Sequence, residues 1–168
     1  MKKKSVIKIV VLMFFIVSNF FAQGEYAAEF KEILGTRYYT EKDIPQLNNY
    51  KYFGGSIISD LVTTDSFYLA LEVFRKGTTA IVIMSKLIDK ETKQRNIIEV
   101  LKINNVPQSY EIRIVGCTLK NMDPDNKIVA VYYIGRKKNV KLIKESYILK
   151  DIRFKKINSK SIKCINEI

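Results

Sequence analysis

The sequence predicts an α+β fold in a single domain: an N-terminal helix packed on a five- to seven-stranded, mostly antiparallel sheet connected as a meander. Three observations carry that expectation. Tyr26, Phe30, Ile33 and Leu34 recur at helical spacing and Gly35 follows them, which is an apolar stripe with a C-cap. Five runs rich in β-branched and aromatic residues come next, separated by Gly, Pro, Asn and Asp clusters, the punctuation of strands and turns. The composition, 47% hydrophobic and 27% charged, is that of a chain able to bury a core.

Residues 1–22 read as a cleaved secretory signal peptide. Lys2, Lys3 and Lys4 precede the apolar run Ile9 to Val17, and Ala22 stands before the polar Gln23; charge, apolar core and a small exit residue make up an export signal. The uncharged stretch from Ile9 to Ala22 has 14 residues, short of the roughly 20 a membrane-spanning helix needs. The mature chain is therefore expected to be residues 23–168, one domain without a transmembrane span. The exit Phe20-Phe21-Ala22-Gln23 resembles secretory leaders of Gram-negative bacteria, which implies a periplasmic or extracellular product.

Along the mature chain, Glu25 to Leu34 is the predicted helix. Thr36 to Ser66 reads as a loop with a helical turn about Glu41 to Leu47, because Pro45 and the pairs Asn48-Asn49 and Gly54-Gly55 break any longer pattern. Phe67 to Phe74 and Thr78 to Ile88 form a predicted hairpin through Arg75-Lys76-Gly77, with glycine supplying the positive φ of the turn. Strands are expected at Ile97 to Ile103, Tyr110 to Leu119 and Ile128 to Ile134. Both alternating sets of the last are apolar, so it is expected to be covered on both faces. A helical turn near Val140 to Glu145, a hairpin through Lys150-Asp151 and a short strand carrying Cys164 complete the chain. Cys117 and Cys164 are the only cysteines. In an exported chain such a pair predicts a disulfide, with two buried thiols as the alternative, and the closed loop would stabilise by about 3–4 kcal/mol.

Charge and missing residue types bound the function. There is no histidine, which removes imidazole-based nucleophile triads, histidine-ligated zinc and histidine pH switches. The chain carries 29 basic and 17 acidic residues. Four of the lysines belong to the leader, and eleven basic residues lie between Arg136 and Lys163 against only Glu145 and Asp151, so the remainder is nearly neutral. A clustered excess of that kind attracts an acidic protein or an anionic envelope polymer. Arg136, Lys137, Lys138, Lys141, Arg153, Lys155 and Lys156 are the candidate binding residues. No nucleic-acid partner is expected, because no binding motif accompanies the charge.

Catalytic signals are weaker. Asp123-Pro124-Asp125-Asn126 reads as a turn, since the further oxygens of a calcium loop do not follow, and no metal or other cofactor is expected. Phe53-Gly54-Gly55-Ser56 lacks a phosphate-loop context. Ser85-Lys86 and Ser159-Lys160-Ser161 lack the spacing of a serine-lysine hydrolase. Carboxylates are the remaining acid/base resource, and Glu72, Glu99 and Glu111 on predicted strands could converge, with cross-strand pairing to Lys102 or Arg113 as the ordinary alternative. The aromatic group Tyr26, Tyr38, Tyr39, Tyr50, Tyr52 and Phe53 reads as packing over a sheet. Together these features point to an exported, non-enzymatic binding protein. A carboxylate-based envelope hydrolase and a structural envelope protein without a ligand are the alternatives.

Overall fold

The computed structural model describes residues 28–58, 68–120, 128–133, 139–140 and 142–165. Among them are twelve strands, β1 (Arg37–Tyr38), β2 (Lys51–Ile58), β3 (Leu69–Lys76), β4 (Thr79–Leu87), β5 (Arg95–Ile103), β6 (Tyr110–Arg113), β7 (Cys117–Leu119), β8 (Ile128–Tyr133), β9 (Asn139–Val140), β10 (Ile143–Lys150), β11 (Arg153–Lys156) and β12 (Ile162–Ile165). They form three antiparallel sheets, ordered β1-β5-β4-β3-β2, β11-β10-β8-β6 and β7-β12-β9. No described helix reaches seven residues, and the architecture is essentially all-β, including a half-barrel. The expected α+β fold, with an N-terminal helix on one sheet, is overturned.

The reason lies in competition for the backbone. The predicted helix is realised as one turn, α1 (Ala28–Lys31); its residues 25–27 lie outside the described residues. Phe30 and Ile33 are buried as their spacing requires. However, the Gly35 amide donates to the Ile97 carbonyl at 2.8 Å and the Ile97 amide donates to the Thr36 carbonyl at 3.1 Å. The open edge of β5 thus claims the chain that a longer helix would have used, and a single turn gains too little from its own hydrogen bonds to resist. Gly35, at φ 81, makes the change of direction.

A second departure splits the predicted strand Tyr110 to Leu119. The chain bends at 114–116, where Gly116 takes φ 75, and β6 joins the second sheet while β7 joins the third. The meander therefore holds only from β2 to β5. A third departure replaces the expected helical turn at Val140 to Glu145 with β9 and the start of β10, because β8 offers a free edge with which residues 143–148 pair. Strand β2 likewise forms where a loop is expected. It tolerates Gly54-Gly55 because a bulge between Tyr52 and Gly54 breaks its register with β3, and because a Cβ on Gly55 would stand 2.9 Å from the Tyr52 hydroxyl.

Other local readings hold. β3 and β4 form a hairpin with Gly77 at φ 56 in its turn, and β10 and β11 form one through Asp151 and Ile152. β8 is buried on both faces because the sheets stack. Leu71, Val73, Val82 and Met84 of the first sheet pack against Val129, Val131 and Leu149 of the second. The far face of the first sheet, with Phe74, Ile81, Ile83 and Ile97, is closed by Phe30, Ile33, Ile44 and Leu47. The far face of the second, with Ile128 and Ala130, is closed by Cys117, Ile162 and Cys164 of the third. Each aliphatic side chain buried in these layers contributes roughly 1.5–3 kcal/mol relative to exposure. Cys117 and Cys164 are directly opposite in the β7–β12 pair and form a disulfide.

Candidate functional site

The basic segment resolves into a hairpin. Arg136, Lys137, Lys138 and Lys141 lie outside the described residues. Arg153, Lys155 and Lys156 lie on β11, which is the edge strand of the second sheet and exposes all three. Strand alternation divides them between faces. Lys150 stands opposite Arg153, and Ile148 opposite Lys155, so Lys150, Arg153 and Lys155 share the face on which Ile148 packs toward the third sheet. Lys156 stands opposite Tyr147 on the other face.

Partners divide the group further. Lys156 is 3.2 Å from the Glu145 carboxylate, and Lys155 is 3.4 Å from the exposed Asp151. Lys144 donates to the Asn105 carbonyl, which ties it to the loop between the first two sheets. Lys160 and Lys163 are exposed on the chain that leads into and along β12. The hairpin tip therefore gathers Lys150, Arg153 and Lys155, with Asp151 as its one carboxylate. Two cations opposite each other across a ladder are mutually destabilising.

The carboxylates do not converge. Glu72 on β3 shares its face with Phe74 and the N-terminal cover, whereas Glu99, opposite Met84 on β5, lies on the face toward the second sheet. Glu111 is on β6, opposite Tyr132. Two of the three are held by a tyrosine and accompanied by a cation. Glu72 accepts from Tyr38 at 2.5 Å and from Arg95 at 2.6 Å. Glu111 accepts from Tyr132 at 2.7 Å, with the Arg113 guanidinium 5.1 Å from that ring. Glu145 repeats the arrangement, accepting from Tyr147 at 2.7 Å and from Lys156. Burial acts to raise the Glu145 carboxyl, but the hydrogen bonds from Tyr147 and Lys156 outweigh it and hold the group below its ordinary value.

The same bonds push the tyrosines upward. Burial and then the Glu111 bond raise the Tyr132 hydroxyl from 10.0 to about 12 against the opposing Arg113. Burial and Glu72 raise Tyr38 further, as burial and Glu145 do Tyr147. A hydroxyl whose folded pKa is raised contributes stability that is complete below the unfolded value, near 10, and is lost as pH rises through the folded one. We expect stability to hold to about pH 9 and to fall above about pH 10. Phenolate absorbance should show late-titrating tyrosines in the still-folded protein, one of them missing in Tyr132→Phe. Uniform titration of all tyrosines near their ordinary value would refute the arrangement.

The remaining motifs are structural where they are described. Ser85 and Lys86 point to opposite faces of β4, and Ser85 is buried. Ser159-Lys160-Ser161 is a 3-10 turn capped by the Asn158 side chain, with Ser159 bonded to Ser146. Asp123 to Asn126 lie outside the described residues. Of the aromatic group, Tyr38 is buried and Tyr50 packs edge-on against Phe30, whereas Tyr39, Tyr52 and Phe53 are exposed. Among the described residues no three His, Cys, Asp or Glu side chains are grouped as metal ligands, and no helix is long and apolar enough to cross a membrane. No family model, curated protein or solved structure matches the chain. What the sequence reading misses is the use of Tyr38, Arg95, Tyr132 and Tyr147 as partners of carboxylates. The nearest signal is the recurrence of tyrosine on strands that also carry glutamate.

Proposed function

We propose that this chain is an exported binding protein without chemistry of its own, and that its cationic β10–β11 hairpin engages the carboxylate or phosphate groups of an anionic envelope component. One observation carries the reading: Lys150 and Arg153 face each other across the hairpin with Lys155 beside them. That repulsion is relieved when an anion binds, and the attraction extends about one Debye length, roughly 8 Å at physiological salt. Binding is favoured over catalysis because, in a chain without histidine, the candidate carboxylates stand on different strands and faces, two of them engaged by tyrosine. Export is supported by the leader-like residues 1–22 and by the Cys117–Cys164 bond, since such bonds persist in oxidising compartments.

The test is retention of the purified protein on immobilised polyglutamate and polyphosphate over a salt gradient. The combined variant Lys150→Glu, Arg153→Glu, Lys155→Glu should elute at several-fold lower salt than the unaltered protein, with unchanged circular dichroism. Equal retention would remove the hairpin as the binding surface. A product recovered outside the cytoplasm should begin at Gln23, and a cytoplasmic chain retaining Met1 would remove the export part.

A further inference from the structure

We propose that β2 is the interface of a homodimer, in which two copies of the chain join their first sheets edge to edge. A sheet edge presents unpaired amides and carbonyls, and proteins blunt such edges with short strands or charged side chains. The other edges here follow that rule. β1, β7 and β9 have two or three residues each, β11 carries three cations in four residues, and β6 carries Glu111 and Arg113. β2 follows it least, with the bulge at Phe53 as its one such device. It has eight residues, pairs on one side only, and after Lys51 carries no charge as far as Ile58. Among the described residues its outer side makes no backbone hydrogen bond. It also exposes Tyr52, Phe53 and Ile57, which are 49%, 55% and 59% accessible.

The occupant that fits is a second copy in antiparallel register. The bulge at Phe53 places Tyr52 and Ile57 on the same face, because they stand opposite Phe74 and Ala70 of β3. A two-fold axis through Gly55 then sets Gly54 against Ser56 of the other copy, and the bulged Tyr52-Phe53 against Ile57. This gives an aromatic to β-branched contact on each side of the axis, a favoured cross-strand combination. Gly55 brings no side chain of its own to the axis, and the Tyr52 hydroxyl lies over it on one face. Charge points the same way. The basic excess of the mature chain lies between Arg136 and Lys163, so two copies joined along β2 meet on a nearly neutral part of the chain. The two Lys51 side chains end up at opposite ends of the new ribbon, about 23 Å apart, well beyond the screening length of roughly 8 Å. Two-fold closure ends the assembly at the dimer.

Sedimentation velocity of the purified protein from roughly 1 to 500 µM tests this, a range that spans the affinity of a modest interface. We expect a concentration-dependent rise to the dimer mass, and slowed hydrogen exchange of Lys51–Ile58 amides in the dimer. Ile57→Lys and, independently, Phe53→Ser should be monomeric throughout with unchanged circular dichroism; if one fails to fold, the other carries the test. A wild-type chain that stays monomeric over the whole range overturns the proposal. So does a dimer that survives the folded substitutions, or one whose β2 amides exchange as fast as in the monomer.

Discussion

Replacing both cysteines, Cys117→Ala with Cys164→Ala, is expected to lower the unfolding free energy by about 4 kcal/mol. The bridge closes a loop with a sequence separation of 47 residues, and in the chain-entropy model that constraint acts on the unfolded state. Against a total stability of about 5–15 kcal/mol, the loss is large, and for a domain of this size it corresponds to a fall in Tm on the order of 12 °C. The location sharpens the expectation. β7, β9 and β12 are only three, two and four residues long, so few ladder hydrogen bonds hold the third sheet to itself. Both sulfur-bearing side chains are fully buried against Ile128 and Ala130, and removing them also loosens the cover on the outer face of β8. Urea titration should give a lower midpoint together with a larger m-value, because the unbridged chain exposes more surface when unfolded. A reducing agent should destabilise the unaltered protein and leave the variant unchanged. A loss below about 1 kcal/mol would mean that the third sheet is held by packing alone.

That bond was legible because an even cysteine count beside leader-like residues is a property of the sequence. So were the β3–β4 and β10–β11 hairpins, where glycine or polar residues interrupt β-branched runs, and the double coverage of β8, where alternation fails on both faces. The helix failed for a reason that no local pattern contains. Its stripe was real, and Phe30 and Ile33 are buried as a helix would bury them, but the backbone after Lys31 goes to the edge of β5, some 65 residues later in the chain. Nor could spacing decide whether Tyr110 to Leu119 is one strand or two. Gly116 lies within that run, but assigning the two halves to different sheets needs partners at Ile128–Tyr133 and Ile162–Ile165.

The basic segment shows the same limit at the level of a site. Counting charge along the chain located the hairpin, but the pairing partner decides which cations act together. Lys155 and Lys156 are neighbours in sequence and lie on opposite faces, while Lys150 and Arg153 are brought face to face by the turn at Asp151 and Ile152. The carboxylates are the candidate acids of the sequence because a chain without histidine has few others. In the folded protein Glu72, Glu111 and Glu145 each accept a tyrosine hydroxyl, a use that satisfies buried polar groups in the half-covered parts of the sheets.

Arg75 is the residue whose role was least visible and whose loss should be felt next most strongly after the disulfide. By sequence it is part of a turn; in the structure it is the last position of β3 on the face toward the second sheet, and its guanidinium holds the loop that carries the chain from the first sheet to the second. It donates to the Tyr110 carbonyl at 2.7 Å, to Pro107 at 2.8 Å, to Val106 at 3.1 Å and to Gly77 at 3.0 Å. Val106 is fully buried, and its amide donates to the Thr78 carbonyl at 2.8 Å, so the loop is pinned to the β3–β4 turn from both sides. Arg75→Met keeps the apolar stem but strands these carbonyls, and is expected to cost about 3 kcal/mol. Arg75→Lys should recover only part of that, because an ammonium is a point donor and cannot reach oxygens spread around a planar fork. The order unaltered, Lys, Met in urea midpoints, with faster exchange of the Val106 and Tyr110 amides in both variants, is the expected result. A lysine variant as stable as the unaltered protein would show that charge alone, not the fork, joins the two sheets.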